Sequence, residues 1–237
     1  MIVDIAFALD CTGSMGPWIE AAKNQIHRTI TELRSAHPEA RIRVGLVLYR
    51  DFGDTFEEGW KHFRTLGFIE ETRLVTDLLA RTRADGGNDT AEDIAGALEK
   101  VNGLNWDPDS IKHCFLVTDA PPHGRDWHEI HISDRYPDFG DISLDDQLKQ
   151  LYNKGVHFTV MKTNQSVNIM IKRFSQIYHT RFHVEDIVAQ SMLTVRPPGE
   201  SDGLTHVFET PDTSLSRMIS LHVTRSMETS DPPIDYT

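Results

Sequence analysis

Residues 10–14 read Asp-Cys-Thr-Gly-Ser. Asp10, Thr12 and Ser14 place a carboxylate and two hydroxyls at alternate positions, and Gly13 and Gly16 let the backbone bend around them. Two further segments carry matching chemistry: "GGNDTAED" at 86–93 and "VTDAPPHG" at 117–124. All three offer oxygen ligands, and none offers a base-activated serine. Hard oxygens on loops and helix starts suit Mg2+, Mn2+ or Ca2+. The competing reading makes Asp10 and Asp119 simple helix N-caps. That reading gives no reason for three such segments to converge.

Convergence needs a fold, and the hydrophobic pattern supplies one. "IVDIAFAL" (2–9) is a continuous apolar run, expected as a buried strand that ends in Asp10. After Gly16-Pro17, the spacing of Trp18, Ala22, Ile26, Ile30 and Leu33 predicts a helix that stops before Pro38. "RIRVGLVLYR" (41–50) is a second strand, and "WKHFRTLGF" (60–68) a third, joined closely enough to run antiparallel. Helices are expected near 70–83, 90–102, 143–154, 166–178 and 185–193. Strands are expected at 111–120, 155–162 and 180–184. Alternating strands and helices imply an α/β fold: a doubly wound, mostly parallel central sheet with one antiparallel edge strand and helices on both faces. Ligands of such folds bind beyond the carboxyl ends of the strands, at a switch point. The domain is expected over 1–193. A Pro- and Gly-rich stretch at 196–203 opens a C-terminal extension, 194–237, with an amphipathic helix near 213–228 that carries Leu215, Met218, Ile219, His222 and Val223 on one face.

Bulk composition narrows the partners. The formal net charge is −12, from 36 acids against 24 bases, which disfavours nucleic acid and anionic membrane surfaces. The two cysteines, Cys11 and Cys114, each adjoin an apolar run and read as buried free thiols in a reducing compartment. "MIVDIAFALD" contains Asp4 and reads as a strand, not as a leader. No apolar stretch approaches the roughly 18 residues of a membrane span. The expected setting is cytoplasmic.

In this order and spacing, D-x-T-x-S after a first strand, G-G-N-D-T and a later T-D-A-P resemble the von Willebrand factor A fold and its metal-ion-dependent adhesion site, over about residues 2–190. "YRDFGD" (49–54) and "DAPPHG…WH…DRYPDFGD" sharpen the likeness to the A domains associated with atypical alpha-kinases and their stand-alone relatives. The resemblance implies coordination by the Thr12 and Ser14 hydroxyls, with Asp10 and Asp119 acting directly or through water. The sequence departs from the family in the middle segment. The usual threonine aligns nearer Asn88 than Thr90, with Asp89 between, so Asp89 is the expected third ligand and Thr90 the second choice. The family also implies a mechanism. Neutral hydroxyl ligands leave the cation with unneutralised charge, and a partner's Asp or Glu completes its octahedron. The chain is thus expected to be a metal-dependent protein-binding module and not an enzyme.

Three neighbours belong to the expected rim: Asp51, Asp54 and His123. Asp51 either holds Arg50 or accepts outer hydrogen bonds, and a hairpin turn rich in Asp and Gly explains the same string. His123 is expected to hydrogen-bond near Asp119. His123, His128, His131 and Asp126 have the residue types of a zinc site, but loop histidines are not expected to converge. Asn88-Asp89-Thr90 fits the N-glycosylation pattern, and a glycan there would cover the metal site. The two "DFG" strings lack the other parts of a kinase. One enzymatic alternative remains, an Mg-dependent phosphatase that uses Asp10 as nucleophile. Its second acid at i+2 is replaced by Thr12. A further alternative is a scaffold that recruits substrates to an alpha-kinase-like effector.

Overall fold

The computed structural model describes residues 1–56, 61–138, 141–186 and 211–230. In chain order it contains β1 (Ile2–Asp10), α1 (Gly16–Ala36), β2 (Arg41–Tyr49), β3 (Phe63–Ile69), α2 (Thr72–Ala80), α3 (Ile94–Asn102), β4 (Ile111–Thr118), α4 (Leu144–Asn153), β5 (His157–Lys162), α5 (Asn168–Tyr178), β6 (Phe182–Asp186) and α6 (Pro211–Ser230). The sheet order is β3-β2-β1-β4-β5-β6. β3 runs antiparallel to β2, and every other neighbouring pair is parallel. This is the expected doubly wound sheet with one reversed edge strand.

β1 is the central strand because both its faces are apolar. Val3, Ile5, Phe7 and Leu9 face one layer, with α1 and α2. Ala6 and Ala8 face the other, with α3, α4 and α5. Asp4 is the exception. It is fully buried and accepts two bonds of 2.8 Å from the Arg43 guanidinium on β2. The two residues are cross-strand partners, so the charge is neutralised at the amino end of the sheet. Nothing polar but Asp10 then remains along the strand.

Several element ends differ from the sequence pattern, each for a local reason. Trp18 is only partly buried, and Ile19 takes the core position on α1. α3 begins at Ile94, not near 90. Asp93 caps it by accepting from the Gly96 N–H at 2.8 Å, and Glu92 is held in an extended bridge to Pro122. Glu185 and Asp186 belong to β6, so the helix expected at 185–193 does not start there; its remaining residues, 187–193, and the 193/194 boundary lie outside the described residues. α6 packs on α1, with Ile219, Val223 and Met227 buried in the same core layer as Phe7 and Phe115. The side chains of Leu215 and Met218 lie outside those described.

Candidate metal centre

β1 and β4 lie side by side, with Leu9 beside Val117. The chain leaves β1 toward β2 and leaves β4 toward β5. Their carboxyl ends therefore flank a switch point, where a ligand crevice is expected. A cleft of about 300 Å3 opens there, and Thr12, Ser14, Asp89, Thr90, Glu92 and Asp119 line it. The three segments singled out by residue type do meet.

Asp10 forms the floor. It is fully buried. One carboxylate oxygen accepts the Thr12 N–H at 2.9 Å and the Thr12 hydroxyl at 2.7 Å; the other accepts the Thr118 hydroxyl at 3.2 Å. Burial, and then the charge of Asp119, push its pKa up to about 7 against those donors. Asp119 has one buried oxygen with no donor. Ser14 is exposed at the cleft mouth. With both oxygens engaged and no exposure, Asp10 presents no free oxygen to an electrophile. That is poor geometry for a phosphatase nucleophile.

Glu92 was not singled out by the sequence. It stands just before α3, where an acid reads as a helix-start preference. In the structure its side chain enters the cleft, is 3% exposed and keeps one oxygen without a donor. Burial, followed by the charges of Asp10, Asp51, Asp54 and Asp119, raises its pKa to about 11. Several carboxyl groups thus compete for too little positive charge. A divalent cation relieves such crowding, and the donor set of carboxylates and hydroxyls fits a hard one.

The middle segment is pinned from the β2 side. Asp54 accepts the Gly87 N–H at 2.9 Å and the Asn88 side-chain amide at 3.3 Å. Gly86 has φ +86°, and a Cβ there would run into the Asp54 carboxyl, so only glycine fits. Asn88 is turned toward Asp54, which leaves Asp89 and Thr90 on the cleft. One Asp89 oxygen accepts the Arg135 N–H at 2.5 Å, and the other is buried with no donor. The Thr90 N–H bonds the Ser133 carbonyl.

Asp51 and His123 act on the rim from beneath, with side chains 1% and 5% exposed. Asp51 does not hold Arg50. That guanidinium binds the Cys11, Thr55 and Arg83 carbonyls and stacks on Phe56, tying three loops together. Asp51 instead bonds His123 Nε2 at 2.6 Å, and His123 Nδ1 bonds Asp134 at 2.8 Å. The expected bond near Asp119 is thus replaced. Burial opposes the charged imidazole, yet the two carboxylates raise its pKa. Of the zinc-type residues, His123 and His128 do converge, but on Asp134, whereas Asp126 pairs with Arg173 and His131 is exposed. Loop closure over many residues made Asp134 invisible to local pattern.

No protein-family model matches the chain. Among curated proteins it is similar to the alpha-protein kinase vwkA of Dictyostelium discoideum, 30% identical over 182 residues, which cover 74% of this chain and 28% of the kinase. It is also similar to an ariadne-like RING finger protein, R811, of Acanthamoeba polyphaga mimivirus, 28% identical over 141 residues, or 57% of this chain and 12% of that protein. The chain therefore spans less than a third of either relative. Solved structures with the same architecture include the open pilus adhesin SpaC from Lactobacillus rhamnosus GG (TM-score 0.62, 13% identity, 96% of this chain and 30% of that one). They also include the SpRpn10 VWA domain (TM-score 0.54, 11% identity, 86% and 100%) and proximal thread matrix protein 1 from the mussel byssus (TM-score 0.51, 15% identity, 78% and 42%). At these identities the likeness is one of fold.

Proposed function

We propose that this chain, which has the von Willebrand factor A fold, is a metal-dependent protein-binding module. Mg2+, or Mn2+ or Ca2+ in its place, would be held by Thr12, Ser14 and Asp119 over the Asp10 floor, with Asp89 or Thr90 from the middle segment. The observation that carries this reading is the crowding of donor-poor carboxyls at the switch point, with Asp119 and Glu92 each keeping a buried oxygen that no donor reaches. A bound cation would meet that charge and offer its open face to an Asp or Glu of a protein partner. The adhesin among the structural neighbours fits a module of this kind. Similarity to an alpha-protein kinase supports one role, recruitment of a partner to an alpha-kinase-type effector. The same reading makes the chain non-enzymatic and places it in the cytoplasm.

A pull-down run with Mg2+ and with chelator tests the reading. The expected result is a partner retained with Mg2+, released by chelator and not captured by Asp10→Ala. Equal capture in all three arms would overturn it.

A further inference from the structure

We propose a second cation site beside the first, one that takes a nitrogen-accepting first-row divalent ion, Mn2+ or Zn2+, on Asp89, His123 and Asp134. One ligand atom from each of these residues lies within 4.8 Å of the others. The His123 Nδ1 to Asp134 oxygen distance is 2.8 Å. Cis ligands of an octahedral ion with bonds of about 2.1 Å stand about 3 Å apart, so an ion can replace the bridging proton with little movement.

A second observation points to a ligand. Asp51 is 1% exposed, and one of its oxygens has no donor. Its carboxyl lies within hydrogen-bond reach of the Asp89 carboxyl, which also keeps a buried oxygen without a donor. A buried carboxyl and a half-buried one that meet this way, each with a shielded oxygen lacking a donor, need positive charge between them. The other Asp51 oxygen takes His123 Nε2 at 2.6 Å. That bond fixes the ring and leaves Nδ1 for the metal, the carboxylate–histidine–metal arrangement in which an outer carboxylate orients the ligand. Asp134 is fixed in turn by the Gly124 and Tyr136 N–H groups and His128 Nε2, at 2.9, 2.8 and 3.0 Å.

The imidazole sets the ion class. Imidazole suits Zn2+ best. Mn2+, which serves as the probe, is mainly an oxygen-binding ion but accepts a nitrogen ligand more readily than Mg2+ or Ca2+. The site uses none of Asp10, Thr12, Ser14 and Asp119, so it stands or falls apart from the function proposed above. Asp89 is the joint residue. When it serves here, Thr90 is left as the middle-segment ligand of the first site.

The test is Mn2+ titration of the full chain in excess Mg2+, followed by pulsed electron paramagnetic resonance. The expected result is one Mn2+ retained with a 14N coupling to imidazole, present in wild type and in Asp10→Asn. In His123→Gln that coupling is lost and Mn2+ binds at least about tenfold more weakly. No 14N coupling in wild type, or a coupling that persists in His123→Gln, overturns the site. Circular dichroism checks folding, and Asp134→Asn, expected to weaken Mn2+ likewise, replaces His123→Gln if that variant unfolds; unweakened binding there also overturns it.

Discussion

Thr12 gives both its donors to one oxygen of Asp10, the N–H at 2.9 Å and the hydroxyl at 2.7 Å. With its proton committed downward, the hydroxyl turns its lone pairs toward the cleft. Thr12→Val keeps the shape and the N–H bond but removes those lone pairs. Metal affinity is expected to fall about tenfold or more, or roughly 1.4 kcal/mol, by calorimetry. Unchanged affinity would remove Thr12 from the ligand set.

Cation binding should also stabilise the fold. At 100 times Kd, a ligand that binds only the native state adds about 2.7 kcal/mol. Mg2+ is expected to raise Tm by several degrees, chelator to reverse the rise, and Asp10→Asn to abolish it. Scanning calorimetry with and without Mg2+ decides the matter.

Asp54 holds the middle segment in place by accepting from the Gly87 N–H and the Asn88 side-chain amide. Asp54→Ala is expected to cost about 1.5–3 kcal/mol, the order of losing a hydrogen bond to a charged group. Hydrogen exchange should show the loss at the Gly87 amide, with weaker metal binding as the result. Full protection at Gly87 would mean that the segment is held elsewhere.

At the other end of the sheet, Arg43→Met leaves Asp4 buried with only the Asp107 N–H and Ser110 hydroxyl as donors. Breaking a buried ion pair on one side costs about 3–5 kcal/mol. Urea denaturation should show a loss of that order while metal affinity stays as it was. A loss of affinity would mean that the two sheet ends are coupled.

His113, His157 and His183 stand on three adjacent strands, and His222 of α6 lies over them. Burial is the main cause that lowers the first three, His157 to about 4, with nearby positive charge adding to it. The folded protein therefore holds these rings neutral, while the unfolded chain takes up protons below about 6.5. Stability should be complete above that pH and fall as the pH drops from about 6.5 toward 4. His113→Leu is expected to flatten the slope, since neither His113 nitrogen has a partner. A slope identical to wild type in Tm measured across that range would refute this account.

The mostly parallel sheet with its one reversed edge strand, and the placing of Asp10 and Asp119 at strand ends, were legible because strand ends follow from apolar runs. Asp134 and Glu92 were not. Asp134 reaches His123 across 11 residues of irregular loop, where no periodicity operates. Glu92 looked helical, yet its bridge to Pro122 keeps it extended and turns it into the cleft. Asp51 was placed at the right edge, and of its two expected roles the outer hydrogen bond is the one found, to His123; Arg50 instead satisfies backbone carbonyls that sequence does not display. Asp89 and Thr90 both reach the cleft, as the spacing of the middle segment allowed.

The last helix carries a lesson for anyone who would cut or transplant this domain. Ile219, Val223 and Met227 fill the layer that also holds Phe7 and Phe115. A fragment that stops at residue 193 would bare those aromatics to water and weaken the strands whose far ends carry Asp10 and Asp119. The portable cassette therefore runs through residue 230, and shorter expression products should precipitate.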